Sequence, residues 1–142
     1  MKKKNQADSI GNLLMQINKA WRKKSNVLLS SVGLHSGQDV LLYYLSREDG
    51  QTVSSLAESL NITQATISIM INRMQISKVI SKKKDSADKR TTRIYLTSKG
   101  KTIIPKIHEI WKTMENVTTK GLKKDQKDKL TSLLLTTLKN LE

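Results

Sequence analysis

The apolar positions of this chain fall into helical stripes at both ends, and their period changes once in between. From Ser9 to Leu29, Ile10, Leu13, Leu14, Ile17, Trp21 and Leu28 recur at the three- and four-residue spacing of one helix face. This predicts a long amphipathic helix, with Gly33 in the loop beyond it. A second helix is predicted through Val40, Leu41, Tyr44 and Leu45, with Ser36 as its N-cap, and Glu48-Asp49-Gly50 reads as a turn. Two short helices follow. Thr52 or Ser54 can cap the first, which holds Leu56, Ala57 and Leu60. Asn61 suits the tight turn after it, because asparagine tolerates the left-handed conformation. Thr63 can cap the second by accepting from an orphan backbone N–H near Thr66. Ile67, Met70, Ile71 and Met74 form its inward stripe. Gln64, Ala65, Thr66, Ser68, Ile69, Asn72 and Arg73 are left facing outward.

The period then shortens. Ile80 to Thr97 consists of two β-prone arms around the turn-forming run Asp85-Ser86-Ala87-Asp88, the pattern of a β-hairpin. Beyond it, Thr97 can cap a long helix holding Ile103, Ile104, Ile107, Ile110, Trp111, Met114 and Val117. Pro105 lies inside that pattern. It removes a backbone donor and is expected to bend the helix or shift its start. Gly121 ends this segment, and a last helix is expected from about Lys124 to Leu141, with Leu130, Leu133, Leu134 and Leu138 inward. The order is two helices, a helix-turn-helix, a hairpin and two more helices, a mainly α fold. The apolar stripes at both ends need a partner surface. A second copy of the chain is the expected partner; the alternative is that the terminal helices pack on each other within one subunit.

Charge changes this picture from a fold to a function. The 142 residues carry a formal net charge of +14, which favours a polyanionic partner. The excess is uneven. Ser25 to Ser77, the expected helical scaffold, is net −2, whereas Lys78 to Arg93 is net +5. Within the hairpin stand Lys82, Lys83, Lys84, Lys89, Arg90 and Arg93 against Asp85 and Asp88. A basic hairpin directly after a helix-turn-helix reads as a winged DNA-binding element. The chain has no cysteine, which excludes disulfides and thiolate metal sites. Lys2, Lys3 and Lys4 resemble the basic start of a signal peptide, but no apolar core follows them. No run reaches the roughly 18 apolar residues of a membrane span, so the expected location is cytoplasmic, with no membrane partner. No phosphate-cradling glycine loop, nucleophile elbow or zinc-hydrolase motif occurs. Neither an enzyme nor a cofactor is expected.

The central block resembles the MarR family of winged helix-turn-helix transcription regulators. The matching residues run from Thr52 through Leu56-Ala57-Glu58 to Asn61-Ile62, then Thr66-Ile67-Ser68 and Asn72-Arg73-Met74. They continue as Asp88-Lys89-Arg90, Leu96-Thr97 and Gly100, and Gly33-Leu34 with Gln38 adds to the likeness. The resemblance implies one domain over 1–142, with a DNA-binding core at 36–97 and dimerisation helices in 1–35 and 98–142. It implies a homodimer on double-stranded DNA, with the helix from Thr63 to Ser77 in the major groove, and repression as the usual outcome. The alternative is an architectural DNA-binding protein without an effector.

Three departures bear on that reading. Lys78 stands where the family has a glycine. Ile69 replaces what is often a basic residue and could meet a thymine methyl, and Ile76 adds a second apolar residue nearby. The candidate DNA-binding residues are Ser54, Thr63, Gln64, Ala65, Thr66, Ser68, Ile69, Asn72, Arg73, Lys82, Lys83, Lys84, Asp88, Lys89 and Arg90. Gln64 and Asn72 can pair with adenine, Thr66 and Ser68 with base edges or phosphates, and Arg73 with phosphate or guanine. Arg73 could instead pair with Asp88. Lys82, Lys83, Lys84 and Lys89 read as phosphate contacts. Arg90 is expected in the minor groove, oriented by Asp88. Relatives also imply a small aromatic or anionic effector. Its candidate lining is Trp21, His35, Tyr43, Tyr44 and Trp111; for the two tryptophans, ordinary packing is the alternative.

Overall fold

The computed structural model describes residues 9–142. Lys2, Lys3 and Lys4, and with them the beginning of the segment 1–35, lie outside the described residues. The elements in order are α1 (Ile10–Ser30), α2 (Gln38–Arg47), β1 (Gln51–Thr52), α3 (Val53–Leu60), α4 (Gln64–Ile76), β2 (Ile80–Lys84), β3 (Thr92–Leu96), α5 (Ser98–Thr118) and α6 (Lys124–Leu141). The chain forms two compact units, one ending at Ile110 and one running from Trp111 to Glu142.

The first unit has its core where the helical stripes meet the sheet. Leu29, Leu41, Leu42, Leu45, Leu56, Ile67, Ile71, Met74, Ile94 and Ile107 are buried. Each such side chain contributes about 1.5–3 kcal/mol on leaving water. The expected inward stripe of α4 is thus observed, although Met70 is only half-buried. Local chemistry sets the helix boundaries. Thr52 Oγ1 accepts from Ser55 N–H at 3.1 Å at the start of α3, and Thr63 Oγ1 accepts from Thr66 N–H at 3.1 Å at the start of α4. Asn61, between them, is left-handed at φ 51°. One cap differs from expectation. Ser36 does not cap α2, whose N-cap is Gly37. His35 and Gln38 close the turn instead: His35 N–H donates to Gln38 Oε1 at 3.1 Å, and Gln38 N–H to the His35 carbonyl at 3.0 Å. Ser36 N–H donates to Asn26 Oδ1 at 2.7 Å, tying the turn to α1.

The sheet is antiparallel in the order β1-β3-β2. β2 and β3 are the arms of the expected hairpin, with Ile80 opposite Leu96 and Lys84 opposite Thr92. The two-residue strand β1 pairs Gln51 with Ile94 and was not expected. Pro105 lies inside α5 and does not displace its start at Ser98. Thr97 Oγ1 accepts from Gly100 N–H there and donates to the Lys78 carbonyl at 2.6 Å.

The terminal stripes are not buried in the protomer. On α1, Ile10, Leu13 and Ile17 are exposed, whereas Leu29 is fully buried. On α6 no residue is buried. Leu130, Leu133, Leu134 and Leu138, expected inward, are 39 % to 53 % exposed. None of the four leucines expected inward on α6 is buried.

Candidate nucleic-acid interface

α4 carries its polar residues on the side away from Ile67, Ile71 and Met74. Gln64, Ala65, Thr66, Ser68, Ile69, Asn72 and Arg73 are all exposed. Ile69 is 55 % exposed and Ile76 80 % exposed, so both apolar departures are available for contact. The C-terminal end of α4 is held by groups from beyond the wing. Lys78 is left-handed at φ 63°, and Lys99 Nζ donates to the Ser77 carbonyl at 2.9 Å. That bond places a cation on an orphan carbonyl at the negative end of the helix.

The wing tip is ordered by Asp88. Its Oδ1 accepts from Arg90 N–H at 3.0 Å and its Oδ2 from Thr91 Oγ1 at 3.0 Å. Asp88 thus orients Arg90 through the main chain, and its carboxylate goes to these partners rather than to Arg73. A different arginine forms the ion pair of the wing. Arg93 Nε lies 3.5 Å from Asp85 Oδ1, and Arg93 Nη1 donates to the Gly50 carbonyl at 2.9 Å. Arg93 thereby links β3 to the turn before β1. Asp49 adds to the link by accepting from Leu96 N–H at 2.9 Å. None of Arg93, Asp85 and Asp49 was a site candidate in the sequence. Their only signal was charge in a strand and a turn far apart along the chain.

The three wing lysines, alike in sequence, differ in place. Lys82 Nζ donates to Asn72 Oδ1 at 2.5 Å. Lys83 Nζ lies over the Tyr95 ring, 5.2 Å from its centroid, and Lys84 Nζ donates to Thr92 Oγ1 at 3.3 Å. Lys89 and Arg90 are exposed at the tip.

Two spaces gather the candidate residues. One, about 300 Å³, is lined by Thr52, Val53 and Ser54 at the start of α3, Gln64 at the start of α4, and Arg90, Thr91 and Thr92 of the wing. Two helix N-termini, hydroxyls and a guanidinium around one open cleft suit an anionic oxygen such as a backbone phosphate. The other, about 180 Å³, lies between the start of α2 and α4, with His35 and Gln38 on one side and Thr66, Ile69 and Arg73 on the other. A more apolar space of about 440 Å³ adjoins it, sharing Ser36, Thr66 and Met70 and including Arg22 and Val40. Arg22 was not a sequence candidate. Of the aromatic candidates, His35 lines the smaller space. Tyr43 packs against Tyr44 at 6.2 Å and edge-on to His108 at 6.0 Å between ring centroids. Trp21 is exposed on α1 and Trp111 is half-buried on α5.

A helix-turn-helix followed by a basic two-stranded wing, with long helices before and after, defines a winged-helix transcriptional regulator of the MarR type. Residues 23–107 match the family described as "Transcriptional regulator SarA/Rot", and the chain belongs to that family. It is 25% identical over 118 residues to YybA of Bacillus subtilis (strain 168), an uncharacterized HTH-type transcriptional regulator, across 83% of this chain and 79% of that one. The crystal structure of the transcriptional regulator SlyA matches with a TM-score of 0.83 at 26% identity, over 94% of each chain. The transcriptional repressor CouR, bound to a 23-mer DNA duplex, matches in fold with a TM-score of 0.85 at 21% identity, over 97% of this chain and 98% of that one. All three are transcriptional regulators by description. Among the described residues, no helix is long and apolar enough to cross a membrane.

Proposed function

We propose that the protein is a homodimeric repressor that binds specific double-stranded DNA through α4 and the wing and is released by a small aromatic or anionic effector. The observation that carries this reading is the cleft where Ser54, Gln64 and Arg90 converge from three elements, beside the exposed polar face of α4. In this reading α4 lies in the major groove. Gln64, Thr66 and Ser68 meet base edges, and Ile69 meets a thymine methyl. Arg73, Lys83, Lys84 and Lys89 meet phosphates, and Arg90, aligned by Asp88, enters the minor groove. Thr63 and Ala65 set and line the start of the helix.

Two further observations support the reading. The uncovered leucines of α6 and the exposed Ile10, Leu13 and Ile17 of α1 are what an intersubunit surface needs, and a helix-turn-helix protein reads two half-sites as a dimer. His35 and Arg73 line one space with Thr66 and Ile69, so an anion there would compete with DNA for the same residues. An effector shifts the DNA-bound population only through such a difference in affinity between two states.

The test is selection of genomic fragments by the purified protein, with footprinting repeated in the presence of candidate aromatic acids. A shared palindrome with half-sites about one helical turn apart is expected, lost when an effector is added. Fragments without any shared sequence would favour an architectural DNA-binding protein. On the selected site, about six to ten neutralised phosphates give a log–log salt slope of roughly −5 to −9. A slope near zero would remove the phosphate contacts from the account.

A further inference from the structure

The wing and α4 meet at a polar pair, Lys82 and Asn72. Strand alternation explains the meeting. Ile80, Lys82 and Lys84 share one side of β2, and Ile80 is buried in the core. Lys82 stands opposite Ile94, which is fully buried. β2 contacts α4, so a long side chain two residues beyond Ile80 reaches the outer edge of the helix. Lys83 goes to the other side of the strand, over Tyr95.

The ammonium of Lys82 has three donors and no acceptor. The atom of Asn72 that faces it at 2.5 Å must therefore be the carbonyl oxygen, and the amide is turned with Nδ2 away from the lysine. Asparagine reads adenine with both ends of its amide, accepting from N6 and donating to N7. Here the accepting end is engaged by a cation in a charge-assisted bond, a stronger partner than a neutral base amine. What remains to offer is the pair of Nδ2 donors, the free donors of Lys82 and one lone pair of Oδ1 beside the ammonium, so donors outnumber acceptors. Guanine presents two acceptors in the major groove, O6 and N7, and matches this donor-rich pair.

We infer that Lys82 is a positioning residue for Asn72, and that the two together select guanine over adenine at one position in each half-site. The inference rests on the proposed reading of α4 in the major groove. It differs from a phosphate role for Lys82, which carries no sequence information and appears only in the salt dependence.

The test is selection from a randomised duplex library by the full chain, comparing wild type with Lys82→Met, Lys82→Arg and Asn72→Ala. Both positions are exposed, so the variants fold, which circular dichroism checks. Wild type is expected to enrich guanine at one position per half-site, and Lys82→Arg keeps that preference. Lys82→Met frees Oδ1 and shifts the guanine-to-adenine ratio at that position by about tenfold toward adenine. Asn72→Ala flattens the preference there alone. An unchanged base preference in Lys82→Met overturns the inference. So does an equal loss of affinity for every sequence, with the salt slope shallower by about 0.9 for each contact removed, which is the signature of a plain phosphate contact. If wild type enriches no sequence at all, the regulator reading itself fails and the inference falls with it.

Discussion

Lys78 holds a left-handed conformation, φ 63°, at the end of α4, where a side chain crowds its own backbone. Its backbone bonds explain why the turn persists. The Lys78 N–H donates to the Gln75 carbonyl at 3.0 Å, and its carbonyl accepts from Thr97 Oγ1 at 2.6 Å. These bonds survive substitution, so Lys78→Gly removes only the steric cost. Part of that gain is offset by the greater freedom of glycine in the unfolded chain. We predict a net stabilisation of about 0.5–1 kcal/mol, read by chemical denaturation at fixed protein concentration. A loss of stability would mean that the lysine side chain contributes more than its backbone geometry costs. The same scale separates Asp88 from Arg93. Asp88 acts on Arg90 through a main-chain bond, whereas Arg93, the better-connected guanidinium, is fixed in the scaffold between Asp85 and Gly50.

Between elements, α5 comes very close to the end of α4 at Gly100. A Cβ on Gly100 would stand 2.2 Å from the Val79 carbonyl oxygen. No side chain can yield there, because the obstacle is backbone. Gly100→Ala must therefore part α5 from the end of α4, and a destabilisation of about 2 kcal/mol or more is expected. Thermal melts that match wild type would contradict this close approach. The joint also indicates what a sequence can disclose. The caps at Thr52, Thr63 and Thr97 and the turn at Asn61 are legible because each depends on residues within three positions, whereas the turn at Lys78 also leans on Thr97, far along the chain. The start of α2 was misread because Ser36 is a good cap by type, while the reciprocal bonding of His35 with Gln38 wins by geometry. β1 was not legible at all. Two residues carry no periodicity, and the strand exists only because Ile94, far along the chain, offers its edge. For the same reason the candidate residues of α4 and the wing could be named, but not the bonds between them. Lys82, Lys83 and Lys84 are one run in the sequence and three different contacts once the strand alternates.

At the scale of the molecule, a formal charge of +14 favours encounter with any polyanion, and specificity has to come from shape and from the exposed face of α4. The exposed apolar residues of α1 and those of α6 support the proposed dimer, which would present two such faces in a fixed register. Leu134 is 45 % exposed on α6, where no residue is buried. Leu134→Glu should leave the helix intact and shift the protein toward monomer in sedimentation equilibrium, with at least a tenfold loss of affinity for a two-half-site duplex, a change of about 1.4 kcal/mol. A variant that remains dimeric would place the subunit contact elsewhere. In the proposed mode of binding, α4 and the wing hold DNA as two distinct parts. Dimethyl sulfate footprints of wild type and Arg90→Ala on the selected duplex separate the two parts, because the reagent methylates guanine N7 in the major groove and adenine N3 in the minor groove. Wild type should protect two major-groove segments about one helical turn apart, with minor-groove protection beside each. Arg90→Ala should lose the minor-groove protection alone; identical footprints, or even protection along the whole duplex, would show that the wing does not enter the minor groove through Arg90.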